Sequence, residues 1–232
     1  MDKRPGLVVH PDESERVNTL LTHIQAYLYQ KKEWSPYWEN SFAPALCNRI
    51  DRNTGGIVIA AKTAEGLRVM NQKIKDRELE KRYLCVIHGT MPQREGKLEG
   101  YLWKDEVKKQ VYVRSKPVPG AKTAVTLYRT LAVRNGLSLV ECELVTGRTH
   151  QIRAQFSAAG HPLLGDGKYG SERDNRRYGR HGQALYSYRL SFRFTTDAGP
   201  RWSPSTAAAG RWRRWTLYRS IFPGFSLPRT EG

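Results

Sequence analysis

The chain has 232 residues, with 39 Lys plus Arg against 22 Asp plus Glu, a formal net charge of +17. Hydrophobic residues at 39% and aromatics at 10% supply enough apolar material for a buried core, and the length suits one large domain or two small ones. The longest aliphatic run, Ile57 to Ala61, falls far short of the roughly 20 residues a membrane span needs, and MDKRPGLVVHP has no signal-type apolar stretch, so membrane-spanning and secreted classes are set aside.

Residues 14 to 31 put Val17, Leu20, Leu21, Ile24 and Leu28 on one helical face, with Asp12 and Glu15 set to form a capping box at its start. Residues 33 to 46 break that period with two prolines and read as a connection toward Asp51. Ile57 to Ala61 predicts a short strand, and a helix follows from Thr63 to about Arg77 with Leu67, Met70 and Ile74 inward. Arg82 to Ile87 reads as a central strand. Leu98 to Lys104, Val111 to Arg114 and Thr123 to Val133 alternate as strands joined by short loops. In Leu137 to Val145, apolar Val140, Cys142 and Leu144 alternate with Glu141 and Glu143, the pattern of a half-solvated strand. Thr149 to Ala159 returns to helical spacing through Ile152, Phe156 and Ala159, and Gly160-His161-Pro162 stops it. The sum is an α+β domain with a central, largely antiparallel sheet and flanking helices, not a nucleotide-binding βαβ array.

Cys47, Cys85 and Cys142 form no CxxC pair, which argues against a disulfide framework or a cysteine zinc site and makes a reducing cytoplasm the expected location. The six histidines show no metal-ligand spacing, and no glycine-rich phosphate cradle is present. The positive charge favours an acidic partner, nucleic acid first, because each neutralised phosphate releases counterions. From Ser171 to Gly232, 12 Arg, no Lys and four acids contribute +8. Within that stretch RWSPSTAAAGRWRRW interleaves Arg with Trp202, Trp212 and Trp215, a composition able to pair phosphates and stack on bases. It carries neither a helical nor a strand period, so a poorly ordered tail is expected.

Two polar clusters can carry chemistry. In NRIDRNTGG at 48 to 56, Asp51 lies between Arg49 and Arg52, which favour its ionised form. Such a carboxylate can act as nucleophile or base, or simply cap the Asn53-Thr54-Gly55-Gly56 turn. In TGRTHQIRAQF at 146 to 156, Arg148, His150, Gln151 and Arg153 surround a helix start, able to bind a phosphate or hold an acid, or to form a solvated helix face. Arg153, beside apolar Ile152, requires a carboxylate partner if it turns inward, and Asp51 is a candidate. Tyr83, at the head of a buried strand, is a core residue or, beside a cleft, a flat ring for a nucleobase.

Five ordered blocks make the chain recognisable: KRPGLVVHP at 3 to 11, NRIDRNTGGIVIAAKT at 48 to 63, EKRYLCVIHG at 80 to 89, GRTHQIRAQFSAAGHPLLGDGKYG at 147 to 170 and ALYSYRLSF at 184 to 192. Over residues 3 to 194 it resembles the RluA-type pseudouridine synthases, which isomerise uridine in structured RNA without cofactor or metal. The resemblance implies an RNA-binding cleft across the sheet. It places Asp51 at the family's catalytic aspartate and Tyr83 at its active-site tyrosine. Arg153 falls at the basic residue paired with the aspartate, and Arg49 at an arginine that fills the gap left by the flipped base. Arg148 and Gln151 join them as substrate-binding candidates. The chain departs from the family at Asn48, where many relatives have His, and at Gly55, where Ser is common.

The domain expectation is a catalytic domain over 1–196, lacking the family's first strand and any amino-terminal S4-like module, followed by a basic Arg/Trp-rich tail over 197–232. Ribosomal RNA is the expected substrate ahead of transfer RNA, and no membrane partner is expected. The rival class is a non-catalytic RNA-binding or ribosome-assembly protein that keeps the fold.

Overall fold

The architecture comes from a computed structural model that describes residues 1–179, 182–195, 210–211 and 221–223. In chain order its elements begin with β1 (Asp2–Lys3), α1 (Leu20–Gln30), β2 (Ala45–Leu46), β3 (Gly55–Ile57), β4 (Ala60–Ala61), α2 (Ala64–Lys75) and β5 (Leu79–His88). They continue with β6 (Glu95–Asp105), β7 (Gln110–Arg114), β8 (Lys122–Arg134), β9 (Leu137–Leu144), α3 (Gln151–Ala158), α4 (Glu172–Arg177), β10 (Leu185–Phe192) and β11 (Gly210–Arg211). The chain divides into two compact units, Met1–Tyr83 with Leu185–Trp212 and Leu84–Ala184 with Arg213–Gly232. The fold class is the α+β expected from the sequence, and the strand ladders within the units are antiparallel except β3 with β10.

In the first unit β3 is the hub, pairing antiparallel with β1 and parallel with β10. Helix α1 buries Leu20, Ile24 and Leu28, spaced by four, as the periodicity predicts. It starts six residues later than the expected position 14. Asp12 and Glu15 do cap, but they cap the turn before the helix: Asp12 Oδ1 accepts the N–H groups of Ser14 and Glu15, and Glu15 Oε1 those of Val17 and Asn18. The Leu20 N–H goes to the Val8 carbonyl, and Val17 is 78% exposed, so the helical face loses its first member. Thr19 and Thr22 form the actual capping box.

The expected strand over 57–61 is split. Asn48 accounts for the break: its Oδ1 accepts the Ile59 N–H at 2.7 Å and its amide donates to the Ile57 carbonyl at 3.4 Å, freeing Ala60 and Ala61 to pair with β2. Helix α2 begins at its Thr63 N-cap as predicted, with Met70 buried. It also buries Lys73, which pairs with Glu78 at 2.8 Å, both side chains 4% exposed or less.

In the second unit β8 is paired on both sides, with β6 and with β9. Strand β9 differs from the half-solvated expectation. Glu141 is buried at 8% exposure because Arg129 on β8 reaches its carboxylate at 3.2 Å, so the Val/Glu alternation reports an ion pair, not a wet face. Helix α3 covers β6, β7 and β8 over a core of Leu102, Val111, Ala124 and Ala154. Phe156 meets Tyr128 edge-on at 5.9 Å. Gln155 stitches the layers, accepting from Thr126 Oγ1 and donating to the carbonyls of Leu98 and Ala124.

The Arg/Trp-rich stretch lies largely outside the described residues. Two described fragments beyond Phe194 are organised despite their lack of period: β11 pairs with β10, and Phe222 is buried at 3% exposure. Among the described residues no helix is long and apolar enough to cross a membrane.

Candidate active site

Asp51 opens a tight turn closed by the Thr54 N–H on its own carbonyl at 3.0 Å. The loop is stapled to the amino-terminal segment at the next residue: Gly6 N–H donates to the Arg52 carbonyl at 2.8 Å, and Arg52 Nε returns to the Gly6 carbonyl at 3.1 Å. Lys3, only 1% exposed, places its ammonium on the carbonyls of Arg52, Leu7 and Arg4 at 2.8, 2.9 and 3.1 Å. With Asn48 holding residues 57 to 59, both flanks of the half-buried Asp51 are fixed by side chains of this unit.

The electrostatics converge on the same carboxylate. Burial pulls the Lys3 ammonium down to about 8, and the negative charge of Asp51 opposes the shift. Tyr83, 7% exposed on β5, has its phenol pushed up to about 12 by burial; Ser187 offsets part of this and the Asp51 carboxylate adds to it. The Ser187 hydroxyl approaches Tyr83 without reaching hydrogen-bond geometry. Asp51, Lys3 and Tyr83 thus share one electrostatic neighbourhood, and Tyr83 is a neutral donor there at any physiological pH. Arg49 is exposed; burial lowers the pKa of His10, and the Arg49 guanidinium lowers it further, placing Arg49 within reach of that ring. Of the candidates in this unit, the structure brings Asp51 and Tyr83 together and sets Arg49 outward.

The second unit carries Arg148, Gln151 and Arg153 at the start of α3. His150 precedes the helix at φ 53° and gives it no side-chain cap, which is why α3 begins at Gln151 instead of Thr149. Gln151 is no solvated face residue: at 2% exposure, its Oε1 accepts from Thr146 Oγ1 and the Arg148 N–H, while Nε2 donates to the Val125 carbonyl and Thr126 Oγ1. It moulds the loop that presents Arg148, whose exposed guanidinium donates to the Thr123 carbonyl at 3.1 Å.

Arg153 does turn inward, at 7% exposure, and meets a carboxylate that the sequence reading missed. Asp166 takes it in a two-point pair, Nε to Oδ2 at 2.6 Å and Nη2 to Oδ1 at 3.0 Å. Burial pushes the Asp166 carboxyl up, but the guanidinium and the N–H groups of Lys168 and Tyr169 outweigh it and hold it below the usual carboxylate range. Tyr169 completes the support: its ring lies 5.0 Å from the guanidinium, and its hydroxyl meets His150 Nδ1 and accepts the Val111 N–H, both at 2.8 Å. The available signal was GDGKYG directly after the helix stop, an acid-turn-aromatic sequence close enough in the chain to serve a buried arginine.

In the first unit the Asp51 loop is held beside a buried ammonium and a neutral phenol, and in the second Arg153 on α3 is held by Asp166. Residues 1–158 match the family described as RNA pseudouridylate synthase, and the chain belongs to that family. It is 35% identical over 201 residues to an uncharacterized RNA pseudouridine synthase of Mycoplasma genitalium, covering 83% of this chain and 59% of that protein. Against ribosomal large subunit pseudouridine synthase D of Zymomonas mobilis it is 34% identical over 170 residues, 73% of this chain and 52% of the relative. The chain therefore spans little more than half the length of these relatives. The fold matches that of human RNA Pseudouridylate Synthase Domain Containing 1, with a TM-score of 0.69 at 20% identity over 95% of this chain and 80% of that one. The resemblance to RluA-type synthases drawn from the five blocks is borne out.

Proposed function

We propose that this chain isomerises uridine to pseudouridine in structured RNA, with Asp51 as the catalytic group. The observation that carries the reading is the Asp51 carboxylate on a loop held at both flanks, sharing its surroundings with Lys3 and Tyr83. In the reaction the N1–C1′ glycosidic bond breaks, the uracil turns, C5 joins C1′, the C5 proton leaves to solvent and N1 takes up a proton in its place. Attack on the sugar carbon, addition to the ring and removal of a sugar proton each call on an ionised carboxylate. Tyr83 supplies an apolar ring face and a hydroxyl that stays protonated, suited to holding a loose uracil during its rotation. Arg49, exposed beside the Asp51 loop, is suited to the vacancy left when the base is extruded.

Arg153 stands at the family's basic position, and Asp166 fixes the plane of its guanidinium. Arg148 is the phosphate contact, and Gln151 positions its loop. Membership of the family and the name of the Zymomonas relative favour ribosomal RNA, with transfer RNA second.

The test is tritium release from ribosomal and transfer RNA labelled at carbon 5 of uracil. Wild type releases tritium; Asp51→Asn releases none while RNA affinity is retained. Release by Asp51→Asn at the wild-type rate overturns the assignment of Asp51. No release by wild type from either RNA favours the non-catalytic RNA-binding protein.

A further inference from the structure

Strands β6 and β7 carry on one face a group of side chains that the active-site residues do not use. Residues alternate in direction along a strand, and Leu102 and Val111 lie in the core beneath α3, with Val113 packed against it. Trp103, Tyr112 and Arg114 therefore project from the opposite face of the pair. Trp103 and Tyr112 are direct cross-strand partners, their ring centroids 6.1 Å apart with planes inclined by 35°. The exposed Arg114 guanidinium lies 5.7 Å from the indole centroid and 5.8 Å from the phenol centroid. Both rings remain partly open to solvent.

The charge around them is predominantly positive, although Lys104 pairs with Glu106 at 2.6 Å. Residues 104–122 hold Lys104, Lys108, Lys109, Arg114, Lys116 and Lys122 against Asp105 and Glu106, six cations to two acids. All six cations are exposed. Adjacent, partly open aromatic rings, a planar guanidinium within cation–π range of both and a cationic rim are the chemistry of a stacking platform for unpaired nucleotides: the rings take base faces and the cations take phosphates. A protein partner of acidic character would use the cations but would not require two tilted rings sharing a guanidinium.

We infer that this outer β6–β7 face docks an unpaired segment of the RNA substrate by stacking bases on Trp103 and Tyr112, with Arg114 and the surrounding lysines on the phosphates. The inference rests on the RNA reading above only for the partner's class. It places a second RNA contact on an element that supplies none of the proposed catalytic residues.

The test is fluorescence anisotropy with a fluorescein-labelled oligouridylate and with a blunt RNA duplex of equal length, on the full chain. Trp103→Ala and Tyr112→Ala each weaken oligouridylate binding by about fivefold or more, the loss expected for one base-stacking ring, and leave duplex binding within about twofold. Trp103→Phe, which keeps a ring, restores binding. Arg114→Ala weakens binding and flattens the slope of log affinity against log salt by about 0.7, the single-strand value for one phosphate contact. Near-ultraviolet circular dichroism identifies variants that keep the native fold. Folded ring variants that bind oligouridylate as wild type does, or that lose single strand and duplex equally, overturn the platform. Tritium release reports separately: a wild type that never isomerises but shows this binding pattern removes the enzyme reading and leaves the platform standing.

Discussion

Asp166 shows how much a single side chain can decide. Its carboxylate is 1% exposed and pairs with the Arg153 guanidinium, itself 9% exposed, so removing one leaves a buried charge on the other. Asp166→Asn should cost about 3–5 kcal/mol, the usual penalty for breaking such a pair from one side. The sign of the pH dependence follows from the depressed carboxyl. The stabilisation is fully present above the unfolded aspartate value near 3.9 and is lost as pH falls through the lower folded value. Urea unfolding should show a stability gap between wild type and Asp166→Asn that is constant at mildly acidic to neutral pH and closes below about pH 4. A gap that stays constant into strong acid would mean the pair contributes nothing through its charge. The sequence showed that Arg153 needed an acid and offered Asp51, whereas the acid that takes it in a two-point pair is Asp166, because the pairing depends on how the chain folds back after Gly160. Asp51 and Tyr83 were singled out through their motifs, and the structure sets them in one electrostatic neighbourhood. Lys3 was not, since a lysine two residues from the start gives no hint that three carbonyls will enclose it.

At the scale of elements, the first unit depends on how closely β3 and β10 approach. Gly56 adopts φ +117°, and a Cβ there would stand 2.1 Å from the Ser187 carbonyl oxygen, a backbone atom that cannot swing away. Gly56→Ala should therefore cost about 3 kcal/mol or more, combining a strained backbone with a steric clash. Hydrogen exchange should report the damage locally: amides of β3 and β10 lose protection, while those of β6, β8 and β9 in the other unit keep theirs. Uniform loss across both units would show that the two unfold as one body.

The sequence reading located most elements because their periods were long, as in β6 and β8, or their caps unambiguous, as at Thr63. It misplaced the start of α1 because Asp12 and Glu15 make a genuine cap of a turn that never continues into a helix. It ran β3 and β4 together because a side chain, Asn48, takes over a backbone pairing that no periodicity reveals. These misses share a cause: each boundary is set by a contact from 9 to 12 residues away in the chain.

For the molecule as a whole, the governing quantity is the charge of +17. Counterion release makes each phosphate contact steepen the fall of log affinity with log salt, by about 0.7 on a single strand and about 0.9 on a duplex. Residues 197–232 hold six Arg against two acids, so +4 of the total resides in a segment that contains none of the proposed catalytic residues. Deleting that segment would also remove the buried Phe222 and the strand paired with β10, mixing charge with stability. Replacing Arg201, Arg213, Arg214 and Arg219 by Gln changes the charge by the same four units and spares both. That variant should bind ribosomal RNA more weakly at low salt, approach wild type as salt rises, and show a salt slope shallower by up to about 3. Its rate of tritium release from bound RNA should match wild type, because docking charge raises encounter and residence without entering the bond-breaking step. An unchanged slope would place the RNA-directed charge elsewhere, with the lysine rim of β6 and β7 the next surface to neutralise.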